Sequence, residues 1–169
     1  AIQANFKKAL SAFDFGKEKA QSQTFSDNAK SSFNLIPDGA RVLLLRSVRN
    51  WMIRLILENS NTKASVDLLG QNVSAKDLEG LEGLNKIHSY GTGFFSTESI
   101  SDKLIEKLRN EQYDYVLVPM ANNNLQGYEN VLEVAKMIAP EEILYVYPEG
   151  RLQPASPPGV GPTCNNSIC

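Results

Sequence analysis

Between Arg41 and Tyr147 the chain alternates short runs of aliphatic residues with segments whose apolar positions recur at helical spacing. No other feature limits the fold as strongly. Repeated βα units produce this alternation, because an inner parallel strand buries both faces while each covering helix buries one stripe. The runs Arg41–Arg46, Ser65–Leu69, Asn85–Tyr90, Tyr113–Val118 and Ile143–Tyr147 predict strands, and Pro119 and Pro148 close the last two. Between them, Trp51, Met52, Leu55 and Ile56 form a helical stripe that ends at Asn59-Ser60-Asn61. Leu78 and Leu81 belong to a short helix, and Ser101 caps a helix buried through Ile100, Leu104, Ile105 and Leu108. Tyr128, Val131, Leu132, Ala135 and Ile138 mark a helix stopped by Pro140. The expected fold is therefore α/β, a three-layer Rossmann-like open parallel sheet of about five strands over residues 41–152.

The two ends differ from this centre. Residues 1–40 scatter Phe6, Leu10, Phe13, Phe25 and Phe33 among polar residues, which predicts one amphipathic helix and then an irregular arm reaching Pro37-Asp38-Gly39. Those rings are expected to dock on the domain or on a protein partner. Residues 153–169 hold Pro154, Pro157, Pro158, Pro162, Gly159 and Gly161, the composition of a flexible tail. Cys164 and Cys169 both lie there, so no disulfide is expected to staple the body of the fold. A net charge of -2 gives no general attraction to nucleic acid. No apolar run reaches the roughly 20 residues of a membrane span, and no apolar leader opens the chain. A cytoplasmic protein without a membrane span is the expectation.

In an open parallel sheet, ligands gather beyond the carboxyl ends of the strands. The candidate ligand residues are therefore Arg46, Ser47, Arg49 and Asn50 after the first strand, and Gly91 and Thr92 after the third. Asn122, Asn123 and Asn124 follow the fourth strand, and Glu149 and Arg151 the fifth. Gly70-Gln71-Asn72 occupies the same level after the second. Guanidinium groups pair with phosphate or carboxylate, and side-chain amides offer both donor and acceptor to sugar hydroxyls or bases.

Standard chemistries are not written into these loops. No glycine stands between Arg41 and Gly70, so neither a dinucleotide fingerprint nor a P-loop follows the first strand, and no cofactor is expected. His88 is the one histidine, and the C-x4-C spacing of the cysteines does not match the common zinc pattern, so no metal site is expected. His88 and Gly91 form an H-x-x-G sequence, but Lys86 replaces the Asp of the cobalamin signature, leaving His88 a structural or solvent-facing role. No G-x-S-x-G elbow or receiver-type acidic set is present, so catalysis by this chain has no evident nucleophile and base.

The segment Arg41-Val42-Leu43-Leu44-Leu45-Arg46-Ser47, with Ile105-Glu106-Lys107-Leu108-Arg109 and Tyr113-Asp114-Tyr115-Val116-Leu117-Val118 downstream, resembles the N-terminal GT-B half of heptosyltransferase-like (family 9 type) glycosyltransferases. Gly127-Tyr128 and Pro148-Glu149-Gly150-Arg151-Leu152 extend the resemblance, which covers residues 41–152. It implies a sugar or nucleotide-sugar ligand and a place in cell-surface glycan and polysaccharide assembly. In that family a Gly-Asp pair follows the first strand and supplies the base for the acceptor sugar. Trp51 and Met52 stand there in this chain, so the resemblance implies a glycosyltransferase-like domain that is non-catalytic or incomplete. The alternatives are a protein-binding scaffold acting through residues 1–40 and a small nucleotide- or sugar-binding regulator.

Overall fold

A computed structural model describes residues 23–30, 32–60, 64–72, 77–93, 95–138 and 143–155. Helix α1 covers residues 23–30 and is followed by a 3-10 turn at Phe33–Leu35. The remaining elements are β1 (Arg41–Leu45), α2 (Asn50–Asn59), β2 (Ser65–Gly70), β3 (Leu84–Ser89), α3 (Asp102–Asn110), β4 (Tyr115–Pro119), α4 (Glu129–Ile138), β5 (Ile143–Val146) and β6 (Leu152–Pro154). The sheet order is β3-β2-β1-β4-β5-β6. All neighbours run parallel except β6, which pairs antiparallel to β5. The chain winds outward from β1 through β2 to β3, then returns to place β4 on the other flank of β1. The carboxyl ends of β1 and β4 therefore form the switch point of a Rossmann-like sheet.

Burial explains why these residues make this sheet. Val42 and Leu44 of β1 join Met52, Ile53 and Ile56 of α2 in one core layer. Leu43 and Leu45 face the opposite layer, with Ile105 and Leu108 of α3 and Val131, Val134 and Ile138 of α4. The unbroken aliphatic run is thus divided by the period of two between two covered faces. The side chain of Ser101 accepts a hydrogen bond from the Leu104 N–H at 3.2 Å and caps α3 as its sequence predicts.

Two regions add to the sequence reading. Residues 23–30 are helical where an irregular arm is expected, and Phe25, Ala29, Phe33 and Ile36 enter the same core layer as α2. Phe25 and Phe33 meet edge to face at 6.1 Å, so these two rings serve the domain's own core. Phe6, Leu10 and Phe13 lie outside the described residues. Gln153 and Pro154, which composition places in the tail, belong to β6, where the Ala155 N–H continues the ladder to the Ile143 carbonyl at 2.9 Å. An edge strand tolerates proline because one side of its backbone needs no partner. Cys164 and Cys169 lie outside the described residues. Residues 77–83 run as turns where a short helix carrying Leu78 and Leu81 is expected, although Leu78 is fully buried. Among the described residues no helix is long and apolar enough to cross a membrane.

Candidate functional site

A crevice of about 420 Å³ opens at the switch point, lined by Arg46, Ser47, Gln71, Tyr90, Phe95, Gly127, Tyr128, Asn130 and Val131. Its floor is built by the strand ends. The Ser47 hydroxyl donates to the Pro119 carbonyl at 2.7 Å and ties the end of β1 to that of β4. Pro119 has no N–H, but its carbonyl remains an acceptor. Arg46 crosses the end of β2 directly over Gly70, where a side chain would crowd it: a Cβ at Gly70 would stand 3.0 Å from the Cβ of Arg46. Glycine at that position is what lets the arginine lie across the sheet end.

The Arg46 guanidinium is held through Nε, which donates to Asn50 Oδ1 at 2.9 Å. Burial lowers its pKa from the ordinary guanidinium value, and the nearby Tyr90 and Asp77 oppose that shift. Among the described residues no carboxylate lies within salt-bridge distance of it. One wall is aromatic: Tyr90 and Phe95 pack edge to face at 5.2 Å, and the Tyr90 hydroxyl donates to the Gly93 carbonyl at 3.0 Å. The Gln71 amide donates to the same carbonyl. Across the crevice, the Tyr128 hydroxyl accepts the Ala121 N–H at 2.9 Å, which fixes the ring against the loop after β4.

Of the residues expected from sequence, Arg46 and Ser47 line this crevice, and Asn50 orients Arg46. Arg49 is exposed as the N-cap of α2, and its own side chain makes no cap hydrogen bond. Gly91 takes a φ of +102°, which glycine alone adopts readily, and its carbonyl accepts the Asn72 N–H at 3.0 Å. Thr92 is exposed on that turn. Asn122 and Asn124 spend their side chains on their own loop. Asn122 donates to the Gln126 carbonyl at 2.8 Å and accepts from the Asn124 N–H, and Asn124 accepts from the Gln126 N–H. Asn123 faces the Glu149 carboxylate, to which its amide donates at 3.0 Å once it is turned so that the nitrogen points there. Glu149 and Arg151 pair with each other at 3.3 Å, and Arg151 stacks on Tyr147 at 4.1 Å. Gln71 stood in a strand-end loop in the sequence without being a candidate residue, and Tyr90, Phe95, Tyr128 and Asn130 carried no individual functional signal, since Tyr90 read as the end of a strand and Tyr128 as part of a helical stripe.

A second cluster lies towards the amino ends of β1 and β4. Among the described residues Asp67 and His88 are the buried polar side chains, at 1% and 7% exposure. The Tyr113 hydroxyl donates to Asp67 Oδ2 at 2.6 Å, and Asn85 donates to Asp67 Oδ1 at 3.1 Å. His88 Nε2 stands 3.1 Å from the Tyr113 oxygen. Since Tyr113 has one proton and directs it at the carboxylate, His88 must be the donor, which fixes the Nε2–H tautomer. Burial, the Asp67 hydrogen bond and the neighbouring negative charges push the Tyr113 pKa up, and burial pulls that of His88 down.

Asp67, His88 and Glu111 bring ligand atoms within 4.8 Å of one another, close enough to invite a divalent ion. The local charge opposes one. Glu111 pairs with Lys86 at 3.0 Å and with Arg41 at 3.3 Å, Arg41 also approaches Asp67 at 4.0 Å, and Tyr113 hydrogen-bonds with both buried groups. Hydrogen bonds to Lys86 and Arg41 hold the Glu111 pKa below its ordinary value. The cluster is a neutralised structural network, and the one sequence signal for it was an acid, Asp67, inside an aliphatic strand.

The fold and the crevice together define a Rossmann-like domain with a ligand-sized opening at its switch point. No protein-family model matches the chain, and no curated protein matches it.

Proposed function

We propose that this chain is a sugar-binding domain of the glycosyltransferase-like, GT-B kind, which holds a sugar or nucleotide-sugar in the switch-point crevice during glycan assembly. The observation that carries this reading is the crevice wall itself. Aromatic rings on both sides suit the apolar faces of a sugar or base, while Ser47, Gln71, Asn130 and Arg46 meet its polar edges. The position that would hold the acceptor base in the resembling family is taken by Trp51 and Met52, and Met52 is 2% exposed in the core. Among the described residues the crevice lining contains neither carboxylate nor imidazole. Binding, with no proton abstraction by these residues, is the function they support.

Saturation-transfer NMR with a panel of hexoses and nucleotide sugars tests this. Transfer to sugar protons is expected for the native chain and is expected to vanish in Asn130→Trp, whose ring would fill the crevice from an exposed position in the first turn of α4. Equal transfer to both proteins, or none to the native chain, would refute the assignment. A partner contacting residues 1–40 would have to use side chains other than Phe25 and Phe33, which the domain's core already occupies.

A further inference from the structure

We infer that the crevice selects ligands in which a ring carries an anionic group, a carboxylate or a phosphate monoester, and that Arg46 reads that charge. The inference rests on the crevice being a sugar site and adds the charge of the sugar. Among the described residues its lining holds one cation and no acid. By contrast, the depression beside α3 sets Glu106 and Glu111 among Lys86, Lys103 and Lys107, so an anion entering it would meet two carboxylates.

Arg46 is built to remain available. Its Nε is taken by Asn50, and its two terminal amino groups make no hydrogen bond to a described residue. The Asn50 contact restricts the side chain before any ligand arrives, so less rotamer freedom is lost when two parallel N–H groups meet an oxyanion. A partly buried guanidinium that feels Asp77 only from beyond salt-bridge distance favours a ligand that brings an anion into contact, whereas a neutral sugar would cover it further and offer no charge in return. The first turn of α2, which follows immediately, contains no acidic residue to compete. The rings of Tyr90, Phe95 and Tyr128 then account for the second requirement, that the anion be attached to a ring and not stand alone.

Chemical-shift titration of the full chain with glucose, glucuronate, glucose 1-phosphate and inorganic phosphate tests each part, using the native protein, Arg46→Gln and Arg46→Lys. At least one of the two charged sugars is expected to bind about tenfold more tightly than glucose, and their ratio tells carboxylate from phosphate. Arg46→Gln is expected to erase that preference, so that the charged sugars bind no more tightly than glucose does to the same variant, and Arg46→Lys to restore part of it. Glucose binding as tightly as both charged sugars would overturn the charge selection and leave the sugar site standing. Inorganic phosphate binding as tightly as glucose 1-phosphate would overturn the need for a ring. A folded Arg46→Gln protein that keeps the preference would overturn the role of Arg46, and shifts from none of the sugars would remove both this inference and the sugar site.

Discussion

His88 shows how much one buried proton can govern. Its Nε2–H is committed to Tyr113, so any further proton must enter at Nδ1 and create an imidazolium inside the sheet. Burial is the main cause of its lowered pKa; Lys107 and Lys86 add to it, while Asp67 and Glu111 oppose it. The unfolded chain therefore takes up the proton first. Stability from this group is full above the unfolded value of 6.5 and declines as pH falls from there towards the folded pKa. Glu111, whose pKa is also lowered, loses its contribution only below its ordinary value of 4.5, in a separate window. Urea unfolding at stepped pH is expected to show stability decreasing below about pH 6.5. His88→Gln, which retains a donor at the same place, should flatten that decline; an unchanged slope would contradict the assignment. The sequence marked His88 as a lone histidine, but not its network. Asp67 lies on β2, whereas Glu111 and Tyr113 lie on the connection from α3 to β4, and they meet His88 of β3 only through strand order.

At the scale of elements, α1 fills a place on the sheet that no later helix covers among the described residues. Its seat is specific: the Asn28 side chain donates to the Glu149 carbonyl at 2.6 Å, and the Asn59 amide reaches Ser26 at 3.4 Å. Gly150 holds a φ of +95°, and a Cβ there would penetrate the Phe25 carbonyl. Gly150→Ala is therefore expected to cost about 1–3 kcal/mol, through backbone strain and displacement of α1. Denaturant unfolding measures the loss, and hydrogen exchange should localise it to amides of residues 25–30. A variant as stable as the native chain would show that the contact is not fixed. The strands and long helices were legible because their apolar periods are local. The helical arm was harder to read, since Phe25, Ala29 and Phe33 make a narrow stripe within a polar segment. The edge strand β6 was hidden by Pro154.

The whole molecule joins these parts into one geometry, a sheet that reverses direction of growth at β1 and β4 and opens a crevice there. Arg46 and Ser47 could be found from sequence because they follow the first strand directly. The aromatic walls could not, because Tyr90, Phe95 and Tyr128 lie on different loops and share a cavity only in the order β3-β2-β1-β4. The Asn122–Asn124 cluster stood out in sequence, yet its amides chiefly stabilise their own loop, as asparagines in turns commonly do. The most direct measurement of the central claim is a crystal structure of the chain with the tightest-binding sugar of the titration series. The sugar ring is expected between Tyr90 and Tyr128, with an oxyanion on Arg46. A sugar bound along α1 or beside Asp67 and His88, with the switch-point crevice empty, would contradict it.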